Sequence, residues 1–207
     1  MYYFQLFIYF LLYLPFRLLI GGTKVEYQKN HIGSGKTFII VLNHNAKIDP
    51  FLLFLLPLDV ALKIAPVRFL TAEYYYNKPL IRLFIKPLGA YPLKKLAWTY
   101  KELFKESVEF LTRKDQNVLI FPEGKIVSLS DNINAKPGVG YLISESKRGI
   151  LPIRIIGSES INFKDIVLRR KKLTIKVGKV ISFEKEYLRR NTYKGISLKV
   201  MHIVYSL

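Results

Sequence analysis

Two short segments of the chain place polar side chains directly after an apolar run. In the first segment, Asn43 and His44 follow the apolar residues 37–42, and Asp49 lies five positions beyond the histidine. Open α/β folds usually place ligands and chemistry at the carboxyl ends of their strands. A hydrogen bond between Asp49 and one ring nitrogen of His44 would leave the other nitrogen free to accept a proton from a substrate hydroxyl. This segment therefore predicts a His–Asp general base.

The same segment has a structural alternative. Asp is a preferred N-cap residue and Pro is preferred at the first helical position, and Asp49 is followed by Pro50. Asp49 would then only begin a helix over 50–56, and His44 would bond to a loop carbonyl. Five residues correspond to about 500° around an α-helix, so the predicted pair also requires a turn between its members. Taken alone, this segment leaves both alternatives open.

The second segment is Phe121-Pro122-Glu123-Gly124, which follows the apolar, β-branched run 117–121. It again predicts a strand that runs into a tight turn, and this turn carries a carboxylate. The alternative is an ordinary β-turn, with the proline at its second position, the glycine at its last and the glutamate merely exposed.

Together the segments resemble the acyltransferase family that acylates glycerol phosphate and 1-acylglycerol 3-phosphate. That family is marked by Asn-His, four residues and then Asp, followed downstream by Phe-Pro-Glu-Gly. The block 89–95 is similar to the family's phosphate-binding block, and the resemblance covers roughly residues 20 to 185. The chain departs from the family pattern at Ala46, at Lys125-Ile126, where Thr-Arg is usual, and at Lys95, where Arg is usual. A lysine is a point charge without arginine's bidentate fork.

The resemblance implies direct acyl transfer, in which the acceptor itself supplies the nucleophile. His44 would be the general base, and Asp49 would fix the ring and stabilise the imidazolium. The donor would be an acyl thioester of acyl carrier protein or coenzyme A, the acceptor a lysophospholipid, and no metal or bound cofactor is expected. In substrate binding, Glu123 and the Gly124 amide would contact the head of the acceptor. Lys95, with Lys94 and Lys125, would neutralise the phosphate of the acceptor. Asn43 would order the histidine loop. The implied substrate-binding set is Asn43, Lys94, Lys95, Pro122, Glu123, Gly124 and Lys125.

Length and composition bound the protein class. The chain has 207 residues, half of them hydrophobic, which suits one ordinary domain with a substantial core. It contains no cysteine, which excludes a disulfide framework, a thiolate zinc site and a cysteine nucleophile. Its three histidines are widely separated and show no metal-ligand spacing.

The formal net charge of +18 predicts an anionic partner. Anionic membrane lipids fit better than nucleic acid, although the basic run 169–172 keeps nucleic acid as an alternative. Residues 1–20 are apolar and rich in tyrosine, but Gln5, Pro15 and Arg17 interrupt them. We expect an uncleaved helix that lies in one leaflet at the cytoplasmic face, with a true membrane span and a soluble core helix as alternatives.

The remaining pattern alternates strands with helices and predicts an α/β fold with a mixed, largely parallel sheet flanked by helices. We expect a membrane-associated helix over 1–22 and an acyltransferase domain over 23–207. Predicted strands lie near 37–42, 67–71, 117–121, 151–156 and 173–177. Predicted helices lie near 50–56, 78–85, 97–113, 137–147 and 194–205.

Two further functional alternatives remain open from the sequence. The acceptor could be a different lysolipid, which the unusual Lys125-Ile126 makes plausible. The chain could instead be a basic membrane-binding protein without turnover, although the presence of His44, Asp49 and Glu123 argues against this.

Overall fold

A seven-stranded sheet carries the fold. The computed structural model describes residues 2–20, 22–27, 32, 37–93, 97–127, 133–159 and 172–207. The strand order is β1-β7-β6-β2-β5-β3-β4, and every adjacent pair is parallel except β6 and β7. The strands are β1 (Lys24–Tyr27), β2 (Ile39–Leu42), β3 (Val67–Ala72), β4 (Ala90–Leu93), β5 (Asn117–Ile120), β6 (Ile150–Ile156) and β7 (Thr174–Val177). The prediction of a mixed, largely parallel sheet is confirmed.

Helices connect most of the strands. Those described are α1 (Tyr2–Leu19), a 3₁₀ helix (Asp49–Leu55), α2 (Leu58–Ile64), α3 (Glu73–Tyr76), α4 (Pro79–Ile85), α5 (Tyr100–Leu103), α6 (Lys105–Thr112), α7 (Gly138–Ser146), α8 (Lys185–Arg190) and α9 (Tyr193–Tyr205).

The core lies on both faces of the sheet, because successive side chains of a strand point to opposite sides. In β2, Ile39 and Val41 join a buried cluster with residues of α6, α7 and α9. Ile40 and Leu42 join a second cluster, with residues of the 3₁₀ helix and α2. All four side chains are fully buried, so β2 is a central strand and its carboxyl end is held from both sides.

Two predicted helices differ from the observed ones. The helix expected over 50–56 is a 3₁₀ helix that begins at Asp49. The helix expected over 97–113 is two helices, because the backbone leaves the helical region at Phe104 (φ −109°, ψ 13°). The Phe104 ring is buried against Gly138, where an added Cβ would lie only 2.6 Å from the ring. Packing onto α7 has overridden the helical pattern at this residue.

Helix α1 has one face on the domain and one face in solvent. The Gln5 amide donates to the carbonyls of Val67 (2.7 Å) and Leu88 (2.8 Å) and accepts from the Val67 N–H (2.8 Å). The Tyr9 hydroxyl donates to the Leu56 carbonyl at 2.6 Å. The opposite face exposes large apolar side chains, namely Tyr3, Phe4, Phe7, Phe10, Leu11, Leu14 and Leu18. Among the described residues, no helix combines the length and the apolar character that a membrane span requires.

Candidate active site

The loops that follow β2, β5 and β6 meet at one edge of the sheet. Strand β2 lies between β5 and β6 and is parallel to both, so the three carboxyl ends are neighbours. The loop after β2 carries Asn43 to Asp49 and the loop after β5 carries residues 121–127. The topology therefore brings the two segments singled out from the sequence side by side.

His44 and Asp49 form the predicted hydrogen-bonded pair. The His44 Nδ1 atom lies 3.1 Å from Oδ2 of Asp49. The same oxygen accepts the backbone N–H groups of Asn45 and Ala46, each at 2.7 Å, and the carboxylate is completely buried. The His44 side chain keeps 19% of its surface exposed, which leaves it open to a ligand.

The alternative in which Asp49 only caps a helix is wrong. The N-cap position is occupied by Ile48, and no side chain caps the 3₁₀ helix. The Asp49 carboxylate instead points back toward residues 44–46, which are N-terminal to it in the chain. Its hydrogen bonds fold the loop around the histidine rather than begin the helix.

The ring and backbone of His44 are restrained from the β5 loop. The imidazole stacks on the Phe121 ring, with centroids 4.3 Å apart and planes inclined by 28°. The backbone N–H of His44 donates to Oε2 of Glu123 at 2.8 Å, and its carbonyl accepts the Val127 N–H at 2.9 Å. Because Nδ1 is held by Asp49, the nitrogen left for a substrate is Nε2.

Glu123 is buried, which makes the alternative of an exposed turn residue wrong. Only 6% of its surface is exposed. Its Oε2 accepts from His44, and its Oε1 accepts the hydroxyl of Tyr205 at 2.8 Å. Burial raises the pKa of Glu123, and the hydrogen bonds from Tyr205 and His44 offset part of that rise.

The turn itself has the predicted geometry. The Gly124 N–H donates to the Phe121 carbonyl at 3.0 Å, which closes a β-turn, and Gly124 has a positive φ of 63°. That amide, which we expected to contact the acceptor, is therefore engaged within the turn. Pro122 is buried, whereas Lys125 is exposed beside the site.

Asn43 ties the histidine loop to β6. Its side-chain amide donates to the Ile155 carbonyl at 2.8 Å and accepts the Ile155 N–H at 2.7 Å. The residue is 1% exposed, so this geometry supports the expected role in ordering the loop rather than a contact with substrate. Lys94 and Lys95, the predicted phosphate ligands, follow β4 in the sequence and lie outside the described residues.

Several residues at the site were not predicted from the sequence. Tyr205 contacts Glu123 from α9, and Lys136 places its ammonium 3.5 Å from the Gly124 carbonyl. Glu159, just after β6, accepts a hydrogen bond from the Asn45 side chain at 2.5 Å. Tyr205 and Glu159 are distant in the sequence from the two segments and carry no spacing pattern of their own, so only the fold reveals them.

Two comparisons with known proteins bear on this site. A family model described as Acyltransferase matches residues 24–156. Among solved structures, the chain is similar to the 1-acyl-sn-glycerophosphate (LPA) acyltransferase PlsC from Thermotoga maritima, with a TM-score of 0.59 and 16% sequence identity. That alignment covers 97% of this chain and 87% of the other, and at this identity the likeness is one of fold. Both polar segments fall inside the range that the family model matches.

Proposed function

We propose that this chain, which belongs to the acyltransferase family, moves a fatty acyl group from an acyl thioester to the free hydroxyl of 1-acylglycerol 3-phosphate, giving phosphatidic acid. Family membership, as predicted from the two segments, is confirmed. The observation that carries the proposal is the His44–Asp49 pair, whose ring stays open to a ligand while its carboxylate is buried. The donor is the thioester of acyl carrier protein or of coenzyme A.

In the proposed mechanism His44 acts as the general base. Its Nε2 removes the proton from the acceptor hydroxyl as that oxygen attacks the thioester carbonyl carbon. The new C–O bond forms, the C–S bond breaks, and the imidazolium returns the proton to the departing thiolate. Asp49 stabilises the imidazolium, and its bonds to the backbone of Asn45 and Ala46 hold it in place for that task.

The acceptor phosphate calls for positive charge near this edge of the sheet. We assign its neutralisation to Lys95 and Lys94 and, from the β5 loop, to the exposed Lys125. Lys136 adds a further ammonium beside Gly124. Lysine suits this role as a point charge, with less geometric selectivity than the arginine usual in the family.

We assign part of the acyl-chain site to an apolar cavity of about 90 Å³ under α1. Its lining includes Leu6 and Tyr9 of α1, and Pro50, Phe51 and Phe54 of the 3₁₀ helix. Since Pro50 and Phe51 directly follow Asp49 in the sequence, one wall of the cavity begins next to the loop that carries the base. Apolar walls of this kind favour a hydrocarbon chain over water.

We also propose that anionic lipids at the cytoplasmic face of a membrane are partners of the protein. The exposed apolar face of α1 has a counterpart on α4, where Leu80, Leu83 and Phe84 are each at least two-thirds exposed. Gln5 holds the first turns of α1 beside Leu88, three residues after α4 ends, so the start of α1 lies close to the end of α4. Exposed apolar side chains on a chain of charge +18 suit a surface of anionic headgroups over acyl chains.

Acyl transfer by purified protein in detergent tests the proposal. Lysophosphatidic acid is offered with acyl-carrier-protein and coenzyme A thioesters, and products are identified by mass spectrometry. We expect phosphatidic acid from the wild type, and a turnover lower by about 10²- to 10⁴-fold for His44→Ala, because a positioned base contributes that much. His202→Ala, which removes an exposed histidine of α9, should keep wild-type turnover. Equal turnover by wild type and His44→Ala would refute the base assignment.

A different lysolipid acceptor is the second candidate, favoured by the exposed Lys125 and Ile126 where the family usually has Thr-Arg. The same assay therefore includes lysolipids without a phosphomonoester. Acylation of these, with none of lysophosphatidic acid, would identify the second candidate as correct. No product from any acceptor, with folded protein, would favour a membrane-binding protein without turnover.

A further inference from the structure

A single carboxylate connects helix α9 to the backbone of the histidine. Tyr205, the last residue of α9, donates its hydroxyl to Oε1 of Glu123 at 2.8 Å. The other oxygen of that carboxylate, Oε2, accepts the backbone N–H of His44, also at 2.8 Å. Tyr205 lies outside the range 24–156 that the family model matches. A residue of α9, outside that range, therefore lies at the edge of the site.

Tyr205 is itself held in place from β6. The Arg154 guanidinium donates to the Tyr205 carbonyl at 2.6 Å and lies 5.4 Å from the centre of the tyrosine ring. The next residue along β6, Ile155, forms both hydrogen bonds with Asn43. Strand β6 therefore holds the histidine loop through Ile155 and holds Tyr205, the partner of Glu123, through Arg154.

The Tyr205 hydroxyl stabilises the ionised form of the buried Glu123 carboxylate. The groups that face the carboxylate are His44 and Asp49 from the β2 loop and Tyr205 from α9. Burial raises the pKa of Glu123 and Asp49 adds to that rise, whereas the bonds from Tyr205 and His44 favour the ionised form. Removing the phenol would leave a buried carboxylate oxygen without that donor, which is costly.

The tyrosine acts as a donor rather than as an acid or a base. Burial, with the neighbouring Glu123 carboxylate, raises the pKa of Tyr205 well above its ordinary value, so the phenol stays protonated at neutral pH. A neutral hydroxyl with one fixed acceptor transfers no proton in turnover. The hydroxyl instead controls the position of the Glu123 carboxylate, to which it donates its hydrogen bond.

We propose that Tyr205 is a positioning residue for acyl transfer, which acts through Glu123 on the backbone of His44. The hydroxyl fixes the carboxylate, and the carboxylate fixes the residue that carries the base. The direction of Nε2 toward the lipid acceptor then depends on a side chain of α9, far from His44 in the sequence. This inference rests on the proposed function only for its kinetic consequence.

The kinetic test is Tyr205→Phe with Tyr193→Phe as the matched control. Tyr193 lies at the other end of α9, where its ring packs on Tyr100 and Tyr141. We expect Tyr205→Phe to lower kcat by about 10- to 100-fold, the ratio that a hydrogen bond to a charged group contributes, with KM for the acceptor within about twofold. Tyr193→Phe should leave both constants near those of the wild type.

A spectroscopic arm needs no turnover. Selective ¹⁵N-histidine labelling gives only three backbone amide signals, because the chain has three histidines. The His44 signal, identified by its loss in His44→Gln, should shift in Tyr205→Phe and stay in place in Tyr193→Phe. If no lipid is acylated by any variant, this arm still decides whether Tyr205 acts on His44, so failure of the proposed function is kept apart from failure of this inference.

A double-mutant cycle separates positioning from general stability. Tyr205→Phe should shift the His44 signal and lower the denaturation midpoint in the wild type. It should do both less in a Glu123→Gln background, where the hydroxyl meets a neutral amide instead of a buried charge. Equal effects in both backgrounds, or a kcat within twofold of wild type, would overturn the proposal.

Should Tyr205→Phe not fold, Arg154→Met keeps the hydroxyl, loosens the ring, and is expected to shift the same His44 signal. An unchanged signal in that variant would likewise count against Tyr205.

Discussion

At the scale of single residues, several contacts of the site hold the backbone and the ring of His44 in place. The N–H, the carbonyl and Nδ1 of His44 are each engaged, by Glu123, Val127 and Asp49, and its ring stacks on Phe121. Each contact is made before a substrate arrives. A base that is fixed in this way needs little reorganisation during proton transfer, and such positioning lowers the barrier to reaction.

The buried Glu123 carboxylate should give stability a distinctive pH dependence. Burial raises its pKa in the folded state, despite the bonds from Tyr205 and His44, so the folded chain holds that proton more tightly than the unfolded chain. The stability from this proton is complete below the unfolded pKa, about 4.3, and is lost as pH rises through the folded pKa. Glu123→Gln does not titrate, so its free energy of unfolding relative to the wild type should increase between pH 4 and pH 8.

Urea unfolding of both proteins across that range provides the measurement. Glu145→Gln, which changes an exposed carboxylate of α7, controls for removing one negative charge from a basic chain. A difference between Glu123→Gln and the wild type that stays constant with pH, or that falls as pH rises, would contradict the prediction.

At the scale of secondary-structure elements, the central strands could be predicted and the edge strands could not. The apolar runs of β2 and β5 are completely buried, and a continuous apolar run is typical of a strand covered on both faces. Strand β1 is half-exposed and alternates charge with apolar residues, and β4 contains a proline. Both lie at the edges of the sheet, where packing no longer demands an apolar run.

The residues of the site likewise divide into those that could be predicted from the sequence and those that could not. His44, Asp49 and Glu123 lie close to one another along two loops, and a resemblance in residue types and spacing was sufficient to select them. Tyr205 reaches Glu123 across 82 positions. A tyrosine on an amphipathic helix is more often a core residue, and no local pattern distinguishes it. This contact arises where α9 packs beside the loop after β5, and no single segment of the sequence specifies that packing.

Helix α1 offers a prediction at this scale. Gln5 is a polar residue in an apolar helix, and its three hydrogen bonds join α1 to Val67 and Leu88. Gln5→Leu keeps the helix apolar but leaves those partly buried backbone groups unpaired, so we expect the free energy of unfolding to fall by about 2 kcal/mol. Chemical denaturation in detergent measures this change.

Phe7→Leu, on the exposed face of the same helix, is the matched control and should change stability by less than about 0.5 kcal/mol. If Gln5→Leu proved as stable as Phe7→Leu, the Gln5 hydrogen bonds would not contribute to holding α1 on the domain.

At the scale of the whole molecule, charge and exposed apolar surface act together. The net charge of +18 attracts the chain to an anionic surface from a distance, but that attraction is screened by salt. The apolar faces of α1 and α4 contribute only on contact, and salt does not screen them. The two contributions can therefore be separated by experiment.

We expect the protein to sediment with vesicles that contain phosphatidylglycerol and only weakly with pure phosphatidylcholine, with binding that weakens as salt rises. Replacing Leu83 and Phe84 by serine should lower the partition coefficient by about 10- to 100-fold, because burying each of these side chains contributes about 1.5–3 kcal/mol when complete. The salt dependence of that variant should match the wild type, since no charge has changed. Ile133→Ser, which changes an exposed apolar side chain outside α1 and α4, is the control and should bind as the wild type does. Undiminished binding by the α4 variant would leave charge alone as the cause of membrane attachment and would remove α4 from the lipid-facing surface.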